Sequence, residues 1–223
     1  MAAAGRPRNG PDWSFEAAAA EAGFRCVAGV DEAGRGCLFG PVFAAAVVLG
    51  PGPAIAGLDD SKRLSPRRRQ ELDSRIRQAA LTFAVRAVDA ATIDLLNVLQ
   101  ASRRAMKLAV QGLDPRPDYL LVDATAVDLP IPQKGIVRGD SKSSSIAAAS
   151  ILAKVARDRC MLEWDAIYPE YGLRGHKGYP SPKHLAALRE HGCTPQHRFS
   201  YGPIRQLARF EAGVPPSGYT GTS

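Results

Sequence analysis

The sequence has only four cysteines, at positions 26, 37, 160 and 193. None forms a C-x-x-C pair, and none stands with a histidine at zinc-finger spacing. Neither a structural zinc site nor a disulfide framework is expected, which fits a reducing, cytoplasmic setting. No apolar run approaches the ~20 residues of a membrane span. The opening "MAAAGRPRNGPDWSFEAAAA" lacks the ordered basic, apolar and cleavage regions of a signal peptide. Neither a membrane role nor export is therefore expected. No G-x-x-x-x-G-K-[ST] occurs, and the glycines of "GRGCLFG" lead into a strand rather than a helix, so neither phosphate-cradling fingerprint is present. His176, His184, His191 and His197 have no Ser or Cys partner at recognisable spacing, and none is assigned to catalysis.

What the sequence does have is a basic balance and an ordinary core. Its 223 residues are 45% apolar, enough for one globular domain, and carry a formal charge of +7 with a pI near 9.5. That charge favours a polyanionic partner, with nucleic acid foremost. Residues 1–14 and 208–223 read as flexible tails around a domain at 15–207. No internal repeat is found.

"FRCVAGV", "PVFAAAVVL" and "LTFAVRAV" read as early strands, the last following a helix opened by Ser65 and Pro66. A longer helix from Asp89 or Thr92 is expected to bury Leu96, Leu99, Met106 and Val110 as one stripe. "PDYLLVDA" reads as a buried strand ending in Asp123, and "KGIVRGD" as one ending in Asp140. "SKSSSIAAASILAKVARDRCMLEWDAI" and "SPKHLAALREH" are helical. The order predicts an α/β domain with a mixed sheet.

Asp31 with Glu32, Asp123, and Asp140 thus share a setting at strand ends. If the strands are neighbours, the acids converge, and their mutual repulsion calls for divalent cations. Hard oxygen ligands select Mg²⁺ or Mn²⁺, and a pair of such ions suits phosphodiester hydrolysis. Each acid taken alone reads equally as a turn cap, and the Gly-Arg-Gly as a simple strand-to-strand turn.

An ordered series of segments resembles the type 2 ribonuclease H family, the bacterial ribonuclease HII: "GVDEAGRG", "GPVFAAAVVL", "LDDSKRLS", "YLLVDA", "GDSKSSSIAAASILAKVARD", "YPEYGLRGHKGYPSPKHLAAL" and "TPQHRFSYGP", together spanning roughly residues 24–205. The resemblance implies an RNase H-like fold, with a mixed five-stranded sheet flanked by helices and a helical C-terminal portion. It implies a catalytic, metal-binding set of Asp31, Glu32, Asp123 and Asp140, with Asp31 the bridging ligand of two Mn²⁺ or Mg²⁺ ions. It further implies that Gly34, Arg35 and Gly36 contact a ribonucleotide 2′-OH and its phosphate through backbone, and that Tyr179 stacks and hydrogen-bonds at the ribose–deoxyribose junction. Lys62 in "LDDSKRLS" reads either as support for the site or a phosphate contact, or as part of a capped loop leading into the next helix. The implied substrates are RNA–DNA hybrids and duplex DNA with single embedded ribonucleotides, cut 5′ to the ribose to leave a 3′-OH and a 5′-phosphate. A monomer is expected; the resemblance names no replication or repair partner.

The sequence departs from the family pattern at Cys37, where Pro is frequent, and after Asp123, where Gly-Asn is common and this chain reads "VDATAVDLP". The second departure makes Asp128 a rival ligand, although its place suits a solvated loop. Asp60 is weighed as a supporting acid, and Arg67–Arg69 as a solvated helix face. Lys154 and Lys177 are left unassigned, and Arg198 is given a possible part in holding the C-terminal segment.

Overall fold

The computed structural model describes residues 10–50 and 54–211, with side chains up to 207. A sheet of order β3-β2-β1-β4-β5 forms its centre. The strands are β1 (Val27–Ala33), β2 (Val42–Leu49), β3 (Ala80–Val88), β4 (Tyr119–Asp123) and β5 (Gln133–Ile136). The first three pair antiparallel, and β4 joins β1 in parallel, as β5 joins β4. The mixed sheet expected from the element order is the one observed.

Alternation along each strand assigns side chains to two covered faces. Val30, Ala44, Ala46 and Val122 pack with Ala105, Met106 and Ala109 of α4 (Val98–Gln111). Ala45 and Val47 face Ala148, Ile151 and Leu152 of α5 (Ser144–Ile167). The small residues of α5 let its backbone approach closely. A Cβ at Gly29 would stand 2.1 Å from the carbonyl carbon of Ser145, so no larger residue fits there. A further cluster, including Leu38, Phe39, Met161, Leu173 and Leu188, ties the C-terminal part to the β1–β2 connection. That part comprises α6 (Leu173–His176), α7 (Pro182–His191) and α8 (Gly202–Glu211).

The expected caps are present. Ser65 accepts from the Arg68 N–H of α2 (Pro66–Ala79), and Ser181 accepts from the His184 N–H of α7. Two readings need correction. The long helix after Asp89 is broken into α3 (Ala90–Leu96) and α4, because Asn97 adopts φ 68° and its side chain caps the second helix. Leu99 is consequently 39% exposed, and the buried stripe is Ala101, Ala105, Met106, Ala109 and Val110. Asp140 does not end a strand. β5 stops at Ile136, and Asp140 sits in a single 3₁₀ turn, Gly139–Ser141, that leads into α5.

Of the expected N-terminal tail, residues 1–9 lie outside the described part. Asp12 forms an isolated bridge with Ser143, and α1 (Ser14–Glu21) begins two residues later. Within α1, the buried Glu16 carboxylate accepts from the Ser145 N–H at the start of α5. Residues 212–223 of the expected C-terminal tail are likewise outside the described part, while α8 extends through residues 208–211.

Candidate active site

The parallel register pairs Val30 with Val122. The next residue on each strand is an acid, so Asp31 and Asp123 sit side by side on adjacent strands about 4.8 Å apart. Val30 and Val122 face α4. By alternation Asp31 and Asp123 turn to the α5 side, where Asp31 meets the Ser150 hydroxyl. The Asp123 carboxylate accepts from the Gly139 N–H at 2.7 Å, which fixes the turn that carries Asp140. Glu32 follows Asp31 at the strand end and pairs with Arg35 at 3.2 Å. The four predicted acids are therefore brought to one end of the sheet from β1, β4 and the turn before α5.

Their electrostatics confirm the crowding. Asp31 is 4% exposed, and burial, then the charges of Glu32 and Asp123, push its carboxyl well above the usual range. Burial also raises Glu32, with Arg35 opposing. Asp140 is raised to about 6, first by burial and then by Asp60 and Asp123, with Lys62 opposing. Asp60, the acid weighed from sequence, lies close enough to Asp140 for its charge to raise it. Lys62 stands 3.9 Å from Asp140 with its side chain 77% exposed.

Each carboxylate is turned onto a donor of its own: Asp31 onto the Glu32 N–H, Asp123 onto Gly139, Glu32 onto Arg35. Among the described residues no three His, Cys, Asp or Glu side chains already converge as a metal cage. The donor set still fits a hard divalent cation, because it is all oxygen and a cation would relieve the repulsion that the raised Asp31 and Asp140 record. Asp128 lies apart. It is 92% exposed and pairs with Lys107 on α4 at 3.0 Å, as a solvated loop residue should.

Beside the acids, the Gly34–Arg35–Gly36 turn buries Gly34 and exposes Arg35 and Gly36. Gly34 has φ +98°, and a Cβ there would fall 2.1 Å from Arg157 Nε. Tyr179 closes the other side, its ring 3.9 Å from where a Gly36 Cβ would be and its hydroxyl near the Cys37 thiol. Leu38 N–H donates to Gly178 O, joining the two turns. The structure thus brings Gly34, Arg35, Gly36 and Tyr179 together, with Tyr179 40% exposed.

Sequence reasoning missed Arg157. In a helix its charge reads as a solvated face, yet it is fully buried and donates to the carbonyls of Pro41, Phe39 and Lys177. Arg198 is also fully buried and donates to Gly40 O and Arg35 O, so it braces the glycine turn as well as the C-terminal segment. No local signal in the sequence marks either arginine as buried, and Arg198 lies outside any helix.

This architecture recurs in solved structures. The ribonuclease H2 from Pyrococcus horikoshii OT3 matches with a TM-score of 0.72 at 27% identity, covering 84% of this chain and 99% of that one. The structure of the PCNA:RNase HII complex from Archaeoglobus fulgidus matches with a TM-score of 0.63 at 25% identity, covering 80% and 96%. Sheet order, helices and acidic strand ends together define an RNase H-like nuclease fold. A family model described as Ribonuclease HII matches residues 28–203. The Ribonuclease HII of Solibacter usitatus (strain Ellin6076) is 55% identical over 188 residues, 84% of this chain and 82% of that protein. The chain belongs to the ribonuclease HII family, and is an endoribonuclease hydrolase. Membership implies ribonuclease H activity on RNA–DNA hybrids. No helix among the described residues is long and apolar enough to cross a membrane.

Proposed function

We propose that this chain hydrolyses the RNA strand of RNA–DNA hybrids and also incises 5′ to single ribonucleotides embedded in duplex DNA, leaving a 3′-OH and a 5′-phosphate. The observation that carries the reading is that Asp31 and Asp123 stand on neighbouring strands while Glu32, next to Asp31, reaches Arg35 of the Gly34–Arg35–Gly36 turn at 3.2 Å. Asp31, Glu32, Asp123 and Asp140 would hold Mn²⁺ or Mg²⁺, two ions during turnover. Bound there, divalent cations supply an activated water and neutralise charge on the phosphate.

The chain's own residues do the rest. Burial of Asp31 and Asp140 keeps the acids in a low-dielectric setting, which strengthens their hold on a cation. The glycine turn lets a ribose approach backbone, and a 2′-OH is the one group that separates RNA from DNA at a given position. Tyr179 presents a half-exposed ring and hydroxyl to the sugar junction. Lys62 is placed to meet a phosphate as a point charge. The site would read a sugar rather than a base edge.

The test is incubation with Mg²⁺ or Mn²⁺ and a duplex carrying one ribonucleotide, with an all-DNA control. Cutting of the ribonucleotide duplex alone is expected; equal cutting of both would remove ribose recognition, and no cutting with either metal would remove the nuclease reading. Asp123→Asn should abolish most turnover while substrate binding survives. A nearly active Asp123→Asn beside a dead Asp128→Asn would overturn the ligand assignment.

A further inference from the structure

Tyr179 is held from behind by histidines whose ring protons are fixed by partners that play only one role. His184 Nδ1 lies 3.0 Å from the Tyr179 carbonyl oxygen, which can only accept, so Nδ1 carries the proton. His197 Nδ1 accepts from the Thr194 N–H at 2.9 Å, so its proton is on Nε2. The two Nε2 atoms stand 3.2 Å apart, and the His197 Nε2–H therefore donates to the bare Nε2 of His184. Both rings are fully buried, and burial holds both neutral. His176 stacks on His184 with centroids 4.5 Å apart and accepts from the Gly178 N–H on its own Nδ1. Hydrogen bonds run in one direction, from Thr194 through His197 and His184 to Tyr179.

We propose that His184 is a positioning residue for ribose recognition: with its tautomer set by His197, it anchors the Tyr179 backbone so that the phenol stays against Gly36 and Cys37. The inference rests on the role of Tyr179 proposed above. The turn needs this anchor because Lys177 and Gly178 both adopt positive φ, 52° and 79°, a conformation that a lysine adopts only under constraint. Arg157 holds the Lys177 carbonyl and Leu38 holds that of Gly178, which leaves the Tyr179 carbonyl to Ser181 and His184.

Two side-chain replacements separate positioning from bulk. His184→Asn keeps a donor near the Nδ1 position and loses the contact with His197. His184→Gln keeps an acceptor near Nε2 and loses the contact with Tyr179. His184→Gln should lower kcat/KM on a lone ribonucleotide about as far as Tyr179→Phe does, and His184→Asn should stay closer to wild type. In the Tyr179→Phe background, adding His184→Gln should change kcat/KM by no more than about twofold, because the two act through one group. Multiplying losses in the double variant, or the reverse order of Asn and Gln, would overturn the proposal. If Tyr179→Phe alone is fully active, the reading of Tyr179 fails instead. Should the variants not fold, ¹⁵N shifts of the wild-type imidazoles decide: a proton on His184 Nε2 rather than Nδ1 would sink the relay.

Discussion

Arg157 lies directly beneath Gly34, so close that a Cβ on the glycine would stand 2.1 Å from the guanidinium Nε. The buried glycine and the buried arginine are one device: the glycine admits the arginine, and the arginine's bonds to Pro41, Phe39 and Lys177 hold the neighbouring backbone in place. Gly34→Ala should therefore cost at least about 2 kcal/mol, from positive φ and overpacking together. A thermal midpoint lower by about 6 °C, with a larger loss of kcat/KM, is the expected result.

Arg157→Lys retains the charge and loses the planar fork. One ammonium cannot serve three carbonyls at these positions, and those it abandons stay buried. Denaturant unfolding should show a loss of about 2–4 kcal/mol, and single-ribonucleotide cleavage should fall further than stability alone explains.

Asp31 carries a carboxyl whose burial works against stability. Its carboxyl is raised by burial and by Glu32 and Asp123, so the ionised form at neutral pH opposes folding. Asp31→Asn removes that charge and keeps an oxygen for the Glu32 N–H. In chelator the variant should melt above wild type. Adding Mn²⁺ should raise the wild-type midpoint, by about 2.7 kcal/mol of stability at 100 times Kd, and leave the inactive variant unmoved.

Ala124 follows Asp123 where the family commonly has glycine, and its φ is +50°. It is exposed, and its N–H donates to Ile136 O, so the backbone is held in a region that disfavours a Cβ. Ala124→Gly should stabilise the protein by up to about 1 kcal/mol, read as a rise in denaturation midpoint with unchanged m-value.

The histidine pair sets an acid limit. Burial first, then neighbouring imidazole charge, holds His184 at about 4 and His197 at about 3, against an ordinary 6.5. Below pH 6.5 the unfolded chain takes up protons that the fold refuses, so stability falls with pH from about 6.5 downward and is unaffected above it. At pH 5 the loss is up to roughly 2 kcal/mol per histidine. Thermal midpoints from pH 7.5 to 5 should show the fall, and His184→Asn should show a shallower one.

Much of this protein was legible in the chain itself. Short apolar runs marked the strands, Ser65–Pro66 and Ser181–Pro182 marked helix starts, and the acids stood out because apolar runs ended on them. These are local signals, set by residues a few positions apart. Other features were decided only by tertiary structure. Asn97 breaks a helix that periodicity would continue, its φ of 68° ending one segment and its side chain capping the next. Asp140 joins the site from a turn, pinned by Asp123 sixteen residues earlier. Arg157 and His184 carry no local mark at all, because their partners, Gly34, Phe39 and Pro41 for one and His197 for the other, meet them only when distant segments pack. Burial then reverses what each residue type would do in water: the arginine becomes a backbone clamp, and the histidine a neutral, one-way hydrogen-bond link.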